Sequence, residues 1–249
     1  MFKMKLSNGE LLKEPVAIIS DIIDEGVFKI DKNGLSLLAP DRTMVSVVDF
    51  RLLSSAFEEF KVEGEASIGL NLASLTAVLK RLKANDRLLI EGGKDNRLKL
   101  TIQGKSKRVF ELPILDISAE KPPVDQLSFT TSIEIDPSLV EEGISDADII
   151  GDSVIFEASA EAFRMHAKGD VSSSQLEISK GENGLASIKA EGPVKAQYPL
   201  EYLKKMIKAG KLAKNMSIEF GADYPMRLGF KSVDKLSLQF ILAPRVQDE

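Results

Sequence analysis

The sequence holds 249 residues, 43% hydrophobic and 29% charged, with a net charge of −5 and no cysteine. This composition excludes a disordered chain, and the lack of cysteine excludes disulfides, thiolate metal sites and thiol nucleophiles together. No apolar run approaches the roughly 18 residues of a membrane helix, and residues 1–6 carry no export signal, so the expected compartment is the cytoplasm and no membrane partner is expected.

After a short first strand the sequence predicts a helix over 14–23 that starts at Pro15, because proline suits a first turn and breaks an interior. Residues 27–30 and 35–38 read as a hairpin through Asp31-Lys32-Asn33-Gly34, where Asn-Gly tolerates positive φ. Residues 44–50 form another strand. Past Ile68 the period changes: Leu72, Leu75, Leu79 and Leu82 recur at spacings of three and four, with Asn71 as the N-cap. Residues 87–91, 98–102 and 109–115 then read as antiparallel strands split by Gly, Asp and Asn turns.

Residues 118–130 contain the adjacent prolines Pro122 and Pro123 and no periodic pattern, which predicts an extended, semi-rigid connector. Beyond it, Asp136-Pro137 opens a helix that ends before Gly151-Asp152. Strands follow at 154–158, 163–167 and 175–179. Pro199 then starts a second amphipathic helix with Leu200, Leu203 and Ile207 on its apolar side, and strands at 217–220, 226–230 and 236–242 close the chain. Residues 21–28 resemble 148–155, and the block 72–117 resembles 200–246 in order and spacing. The repeat predicts an α+β fold of two similar domains, 1–117 and 131–249, each with antiparallel sheets and two helices.

Chemistry is sparse. His166 stands alone on a strand, and no Gly-rich phosphate loop, Gly-x-Ser-x-Gly elbow or His-Glu-x-x-His pattern occurs. The sequence therefore nominates no catalytic residue, metal or cofactor. The acidic residues Glu141, Glu142, Asp146, Asp148 and Asp152 leave a duplicated enzyme using the Asp146–Asp152 carboxylates as a competing reading, against that of a solvated helix face.

Charge is sorted by helix. Around 72–83 the polar side carries Lys80, Arg81 and Lys83 and no acid; across 200–214 it carries Lys204, Lys205, Lys208, Lys211 and Lys214 against Glu201 alone. Spaced i, i+4 and i+7, Lys204, Lys208 and Lys211 fall on one stripe opposite the apolar one. Like basic faces at equivalent places in both repeats suggest a surface that tracks phosphates without reading sequence.

At the C-terminal end, Leu242-Ala243-Pro244-Arg245-Val246 resembles the terminal signature of the sliding DNA clamps, the PCNA family, and is most like its archaeal members. Asp41 with 44–48, Gly151-Asp152-Ser153-Val154, Ala167-Lys168-Gly169-Asp170 and Tyr224-Pro225 extend the resemblance over the whole chain. It implies a non-enzymatic ring of three two-domain subunits that encircles duplex DNA, helices lining the hole and sheets outside, near the nucleoid. By family position Lys13, Lys80 and Lys208 face the hole, and the helix reading adds Lys83, Lys204 and Lys211. Partners would be double-stranded DNA, DNA polymerase, a clamp loader that hydrolyses ATP, flap endonuclease and DNA ligase. The proteins would dock through short motifs of Gln with apolar and aromatic residues. Their pocket would include Pro40, Val45, Val47, Val124, Pro225, Ile241, Ala243 and Pro244. Subunits would join by pairing residues 109–115 of one with 171–179 of the next. Two departures stand out. Glu141, Glu142, Asp146 and Asp148 occupy a helix that is usually basic, and Ser20 replaces a lysine. They predict weaker attraction to DNA and leave open a specialised subunit of a mixed ring.

Overall fold

The chain runs twice through one order of elements in a computed structural model that describes residues 1–92, 95–118 and 122–245. The first pass is β1 (Phe2–Leu6), α1 (Glu10–Ser20), β2 (Glu25–Asp31), β3 (Gly34–Pro40), β4 (Ser46–Leu53), β5 (Glu59–Val62), β6 (Ala66–Asn71), α2 (Leu72–Leu79), β7 (Arg87–Gly92), β8 (Arg97–Gln103) and β9 (Lys107–Pro113). The second is β10 (Thr131–Ile135), α3 (Pro137–Ile150), β11 (Ser153–Ala158), β12 (Ala162–Lys168), β13 (Ser173–Ser179), β14 (Leu185–Ala190), β15 (Val194–Pro199), α4 (Leu200–Met206), β16 (Met216–Phe220), β17 (Met226–Ser232) and β18 (Leu236–Leu242). The chain divides into two compact units. One comprises Met1–Arg42, Val48–Pro122 and Ser232–Leu238, the other Thr43–Val47, Pro123–Lys231 and Gln239–Glu249.

Strand pairing repeats as faithfully as the order. The first pass gives β5-β1-β7-β8-β9 and β4-β3-β2-β6, and the second gives β14-β10-β16-β17-β18 and β13-β12-β11-β15. Alternation explains the layers: β1, β10 and β16 each bury every second residue, so one face of each sheet is apolar and the helices cover it. In the first unit Met4, Leu12, Phe28, Leu75, Ile90 and Leu100 share one core. In the second, the Phe156 ring meets Phe163, Tyr198 and Phe220 edge-on, with centroids 5.5, 5.7 and 6.3 Å away. Tyr198 is buried and donates its hydroxyl to the Tyr224 carbonyl at 2.7 Å; burial pushes its phenol above the usual range.

The sequence expectations need correction at several elements. Helix α1 begins at Glu10, not Pro15, because Asn8 Oδ1 accepts the Glu10 amide (3.1 Å) and Gly9 O accepts those of Leu12 and Lys13 (3.2 and 3.0 Å). Pro15 sits in the second turn, where it removes one helical bond but is buried with Leu12, Val16, Ile18 and Ile19. The hairpin turn places Gly34, not Asn33, at positive φ (140°), while Asp31 Oδ1 accepts the Asn33 amide at 2.6 Å. Strand β9 stops at Pro113, and Leu115 makes an isolated bridge to Gly69 instead. Finally, Pro199 ends β15 and caps α4, which tightens at Ile207–Leu212 into a 3-10 turn. Strands β5, β6, β14 and β15 were not predicted.

Within the connector, Val124–Gln126 form a 3-10 turn that the extended reading missed. Residues 119–121 of the connector and Val246 of the terminal signature lie outside the described residues. No helix among the described residues is long and apolar enough to cross a membrane.

Candidate nucleic-acid interface and docking face

In the first unit, α2 is capped by Asn71, whose side chain accepts the Ser74 amide at 2.9 Å. It buries Leu72, Leu75, Thr76, Val78 and Leu79, leaving Lys80, Arg81 and Lys83 exposed around its C-terminal end. Cations there complement the negative end of the helix dipole. A part-buried ion pair fixes this basic turn. Arg108 of β9 donates to the Arg81 carbonyl (3.0 Å) and to Asp86 Oδ2 (2.7 Å), and the same oxygen accepts the Lys83 amide (3.1 Å). Asp86 is 7% exposed, and Arg108 is the cation that faces it. Lys13 differs from Lys80 and Lys83: it is half-buried, with Nζ 2.9 Å from Glu10 Oε1.

The second unit arms its helices differently. Asp136 caps α3 by accepting the Ser138 amide (2.9 Å) and hydroxyl (2.7 Å), and these bonds hold its carboxyl below the usual range. Helix α3 buries Val140, Gly143, Ile144 and Ala147 and exposes Glu141, Glu142, Asp146 and Asp148. On α4, Lys204 Nζ lies 2.9 Å from both oxygens of Asp148. Lys208 and Lys211 are exposed on the 3-10 turn, and each takes part in a further interaction. The 3-10 turn widens the expected stripe of Lys204, Lys208 and Lys211. At about 100° per residue before Met206 and about 120° after it, Lys208 and Lys211 eclipse each other roughly 80° around from Lys204.

Of the pocket residues, Val45, Val47, Val124, Pro225, Ile241, Ala243 and Pro244 belong to the second unit and Pro40 to the first. Ile241 is 7% exposed, and the others are half-buried. The Ala243 amide donates to the Val45 carbonyl at 2.9 Å, which brings residues 43–47 against the end of β18. Arg227 was not foreseen. Its guanidinium lies 4.7 Å from the Phe129 ring centroid, 3.3 Å from Glu219 Oε2 and 3.5 Å from the Val124 carbonyl. It thus fastens the connector turn to β17, two residues from Pro225. In sequence it is one outward charge between Met226 and Leu228, with nothing to signal its partners. Phe129 also packs edge-on against Tyr224 at 6.0 Å.

Two of the acidic residues weighed as catalytic, Asp148 and Asp152, are held in ion pairs. Asp152 pairs with Arg245, whose guanidinium hydrogen bond holds the carboxyl below its usual range; the Arg245 amide also donates to the Gln197 carbonyl at 2.7 Å. Asp148 is held by Lys204. A general acid needs its pKa raised toward neutrality, the opposite of Asp152. His166 Nε2 lies 3.1 Å from Glu157 Oε1, but off line for a hydrogen bond.

Two family models cover the chain: the N-terminal domain of proliferating cell nuclear antigen matches residues 1–121 and its C-terminal domain residues 124–245. The chain is 32% identical over 247 residues to a DNA polymerase sliding clamp of Pyrococcus abyssi, covering 99% of each. It is 31% identical to DNA polymerase sliding clamp 1 of Thermococcus kodakarensis over the same length, again with 99% of each chain covered. Among solved structures it is similar to PCNA from Thermococcus kodakaraensis (TM-score 0.92, 25% identity, 98% of this chain and 100% of that one). It is similar too to a chain of the PCNA2–PCNA3 complex from Sulfolobus tokodaii (TM-score 0.90, 27% identity, 98% and 100%).

Proposed function

The chain belongs to the proliferating cell nuclear antigen family, and from that premise we propose that it is a sliding clamp that encircles duplex DNA and tethers DNA polymerase. The observation that carries this reading is the duplicated unit, in which α2 offers Lys80, Arg81 and Lys83 with no acid on the helix. Duplex DNA presents a phosphate charge about every 1.7 Å of axis, so a fixed row of cations attracts any sequence and permits sliding. Topology then holds the clamp on, and the chain needs no chemistry of its own: the protein acts as a non-enzymatic tether. We take 1–117 and 131–249 as the two clamp domains and 118–130 as their connector.

Ring closure is supported by two open edges. Strands β9 and β13 each end a sheet among the described residues, with Phe110 and Leu112 half-buried on one and Leu176 on the other. Antiparallel pairing between copies that sets Phe110 opposite Leu176 puts Val109 opposite Glu177, Glu111 opposite Gln175 and Lys107 opposite Ser179. No like charges oppose each other in this register, so a second copy of the chain fits.

Client enzymes, including polymerase, clamp loader, flap endonuclease and ligase, would dock on the apolar face at Val45, Val124, Pro225 and Ala243 through short Gln/apolar/aromatic motifs. Polymerase processivity on primed circular template tests the reading. The clamp lengthens products, and Lys80→Glu with Lys83→Glu removes the gain at moderate salt; unchanged stimulation in that variant would defeat the hole assignment.

A further inference from the structure

We propose that Asp148 is a built-in competitor for the phosphate that Lys204 would otherwise hold, so that the second domain grips DNA less than the first. This rests on the reading above that these helices face DNA. The ion pair is bidentate, with both Asp148 oxygens 2.9 Å from Lys204 Nζ, yet both side chains stay open to solvent at 43% and 48%. An exposed pair of this kind contributes little to folding, so its effect falls on whatever approaches the lysine. A phosphate reaching Lys204 finds two of the three ammonium donors held by the carboxylate and must accept that carboxylate's repulsion at close range.

The helix geometry makes this a local device rather than a general acidity. A side chain at Gly210 would meet Pro137 at the start of α3, while Lys204 meets Asp148 near its end. Helix α3 therefore runs antiparallel to α4 and its 3-10 extension. Glu141, two turns before Asp148, lies on the same stripe as Asp148. In the first unit, among the described residues, no carboxylate pairs with the exposed lysines at the end of α2: Asp86 faces Arg108 and the Lys83 amide, and leaves the Lys80 and Lys83 ammonium groups to solvent.

A double-mutant cycle on the assembled protein tests this. Binding of a fluorescein-labelled short duplex is followed by anisotropy between about 50 and 200 mM salt, where each phosphate contact adds about 0.9 to the slope of log K against log salt. Asp148→Asn is expected to bind tighter and to steepen the slope by about 0.9 for every Lys204 engaged. Lys204→Gln costs less affinity in the wild-type background than in Asp148→Asn, where it cancels the gain. A wild-type slope in Asp148→Asn, or an equal loss from Lys204→Gln in both backgrounds, overturns the competitor role. Lys80→Glu is the control: its loss of affinity shows that the DNA-facing reading stands even if the competitor fails, whereas wild-type binding by Lys80→Glu overturns both.

Discussion

Replacing Arg227 with alanine should loosen the connector and weaken client docking by separable amounts. Two of its contacts reach the connector: the Phe129 ring at 4.7 Å and the Val124 carbonyl at 3.5 Å. A partly desolvated cation–π contact is worth about 1 kcal/mol, and a long hydrogen bond about 0.5 kcal/mol. The third contact, to Glu219 at 3.3 Å, stays within the sheet, and both side chains are less than a third exposed (23% and 30%). Its loss should cost about 1–2 kcal/mol and bear on stability alone. Arg227→Ala is therefore expected to lower stability by roughly 3 kcal/mol in total. Only the connector share, about 1.5 kcal/mol, should reach the docking face, which is a tenfold loss of affinity. Calorimetric titration with a peptide carrying the Gln/apolar/aromatic motif reads the affinity, and amide exchange over 124–129 reads the connector. Arg227→Lys keeps the charge for Glu219 but not the planar stack, so it should recover stability more than affinity. Peptide affinity within twofold of wild type in Arg227→Ala, despite faster exchange at 124–129, would refute the coupling of connector to pocket.

Other consequences are open to simpler measurements. Arg108→Ala strands the buried Asp86 carboxylate and should cost about 3 kcal/mol, seen as a lower melting temperature, with Asp86→Asn in the same background restoring part of the loss. Gly34→Ala should destabilise by at least 2 kcal/mol in chemical denaturation, because its φ of 140° and the nearby Leu52 carbonyl leave no place for a Cβ. Asp136→Ala removes the cap of α3 and should cost about 1 kcal/mol at neutral pH. Because the folded carboxyl titrates below the ordinary aspartate value of 3.8, that difference should hold above pH 3.8 and vanish as acid protonates the folded cap. Val124→Asp should abolish peptide binding while the assembly keeps its wild-type mass by light scattering.

What could be read beforehand follows from how local each signal is. Asn71 and Asp136-Pro137 announce their helices because a cap is decided within four residues, and both bond as expected. The repeat was legible because each pass sets apolar residues at the same spacings, Leu72, Leu75 and Leu79 in one and Leu200, Leu203 and Ile207 in the other. Pro15 misled because the caps that start α1, Asn8 and Gly9, lie beyond the apolar pattern that draws attention to it. Strand β5 escaped because the alternation of Glu-Phe-Lys-Val runs for only four residues, and β14 because Leu-Ala-Ser-Ile-Lys-Ala lacks clean alternation. The lysines themselves were plain in the sequence, but their partners were not. Asp148 is 56 residues from Lys204 and Arg227 is 103 from Val124, and no local rule spans such distances. Side-chain pairing, rather than charge count, separates Lys80 and Lys83 from Lys13 and Lys204.

The central claim is that topology, not tight contact, holds this protein on DNA. Its most direct test is retention of loader-assembled protein on a nicked circular duplex during gel filtration at moderate salt, before and after one restriction cut. The clamp reading predicts protein in the DNA fraction on the circle and its release on linearisation. Equal retention on both forms, or none on either, would contradict it.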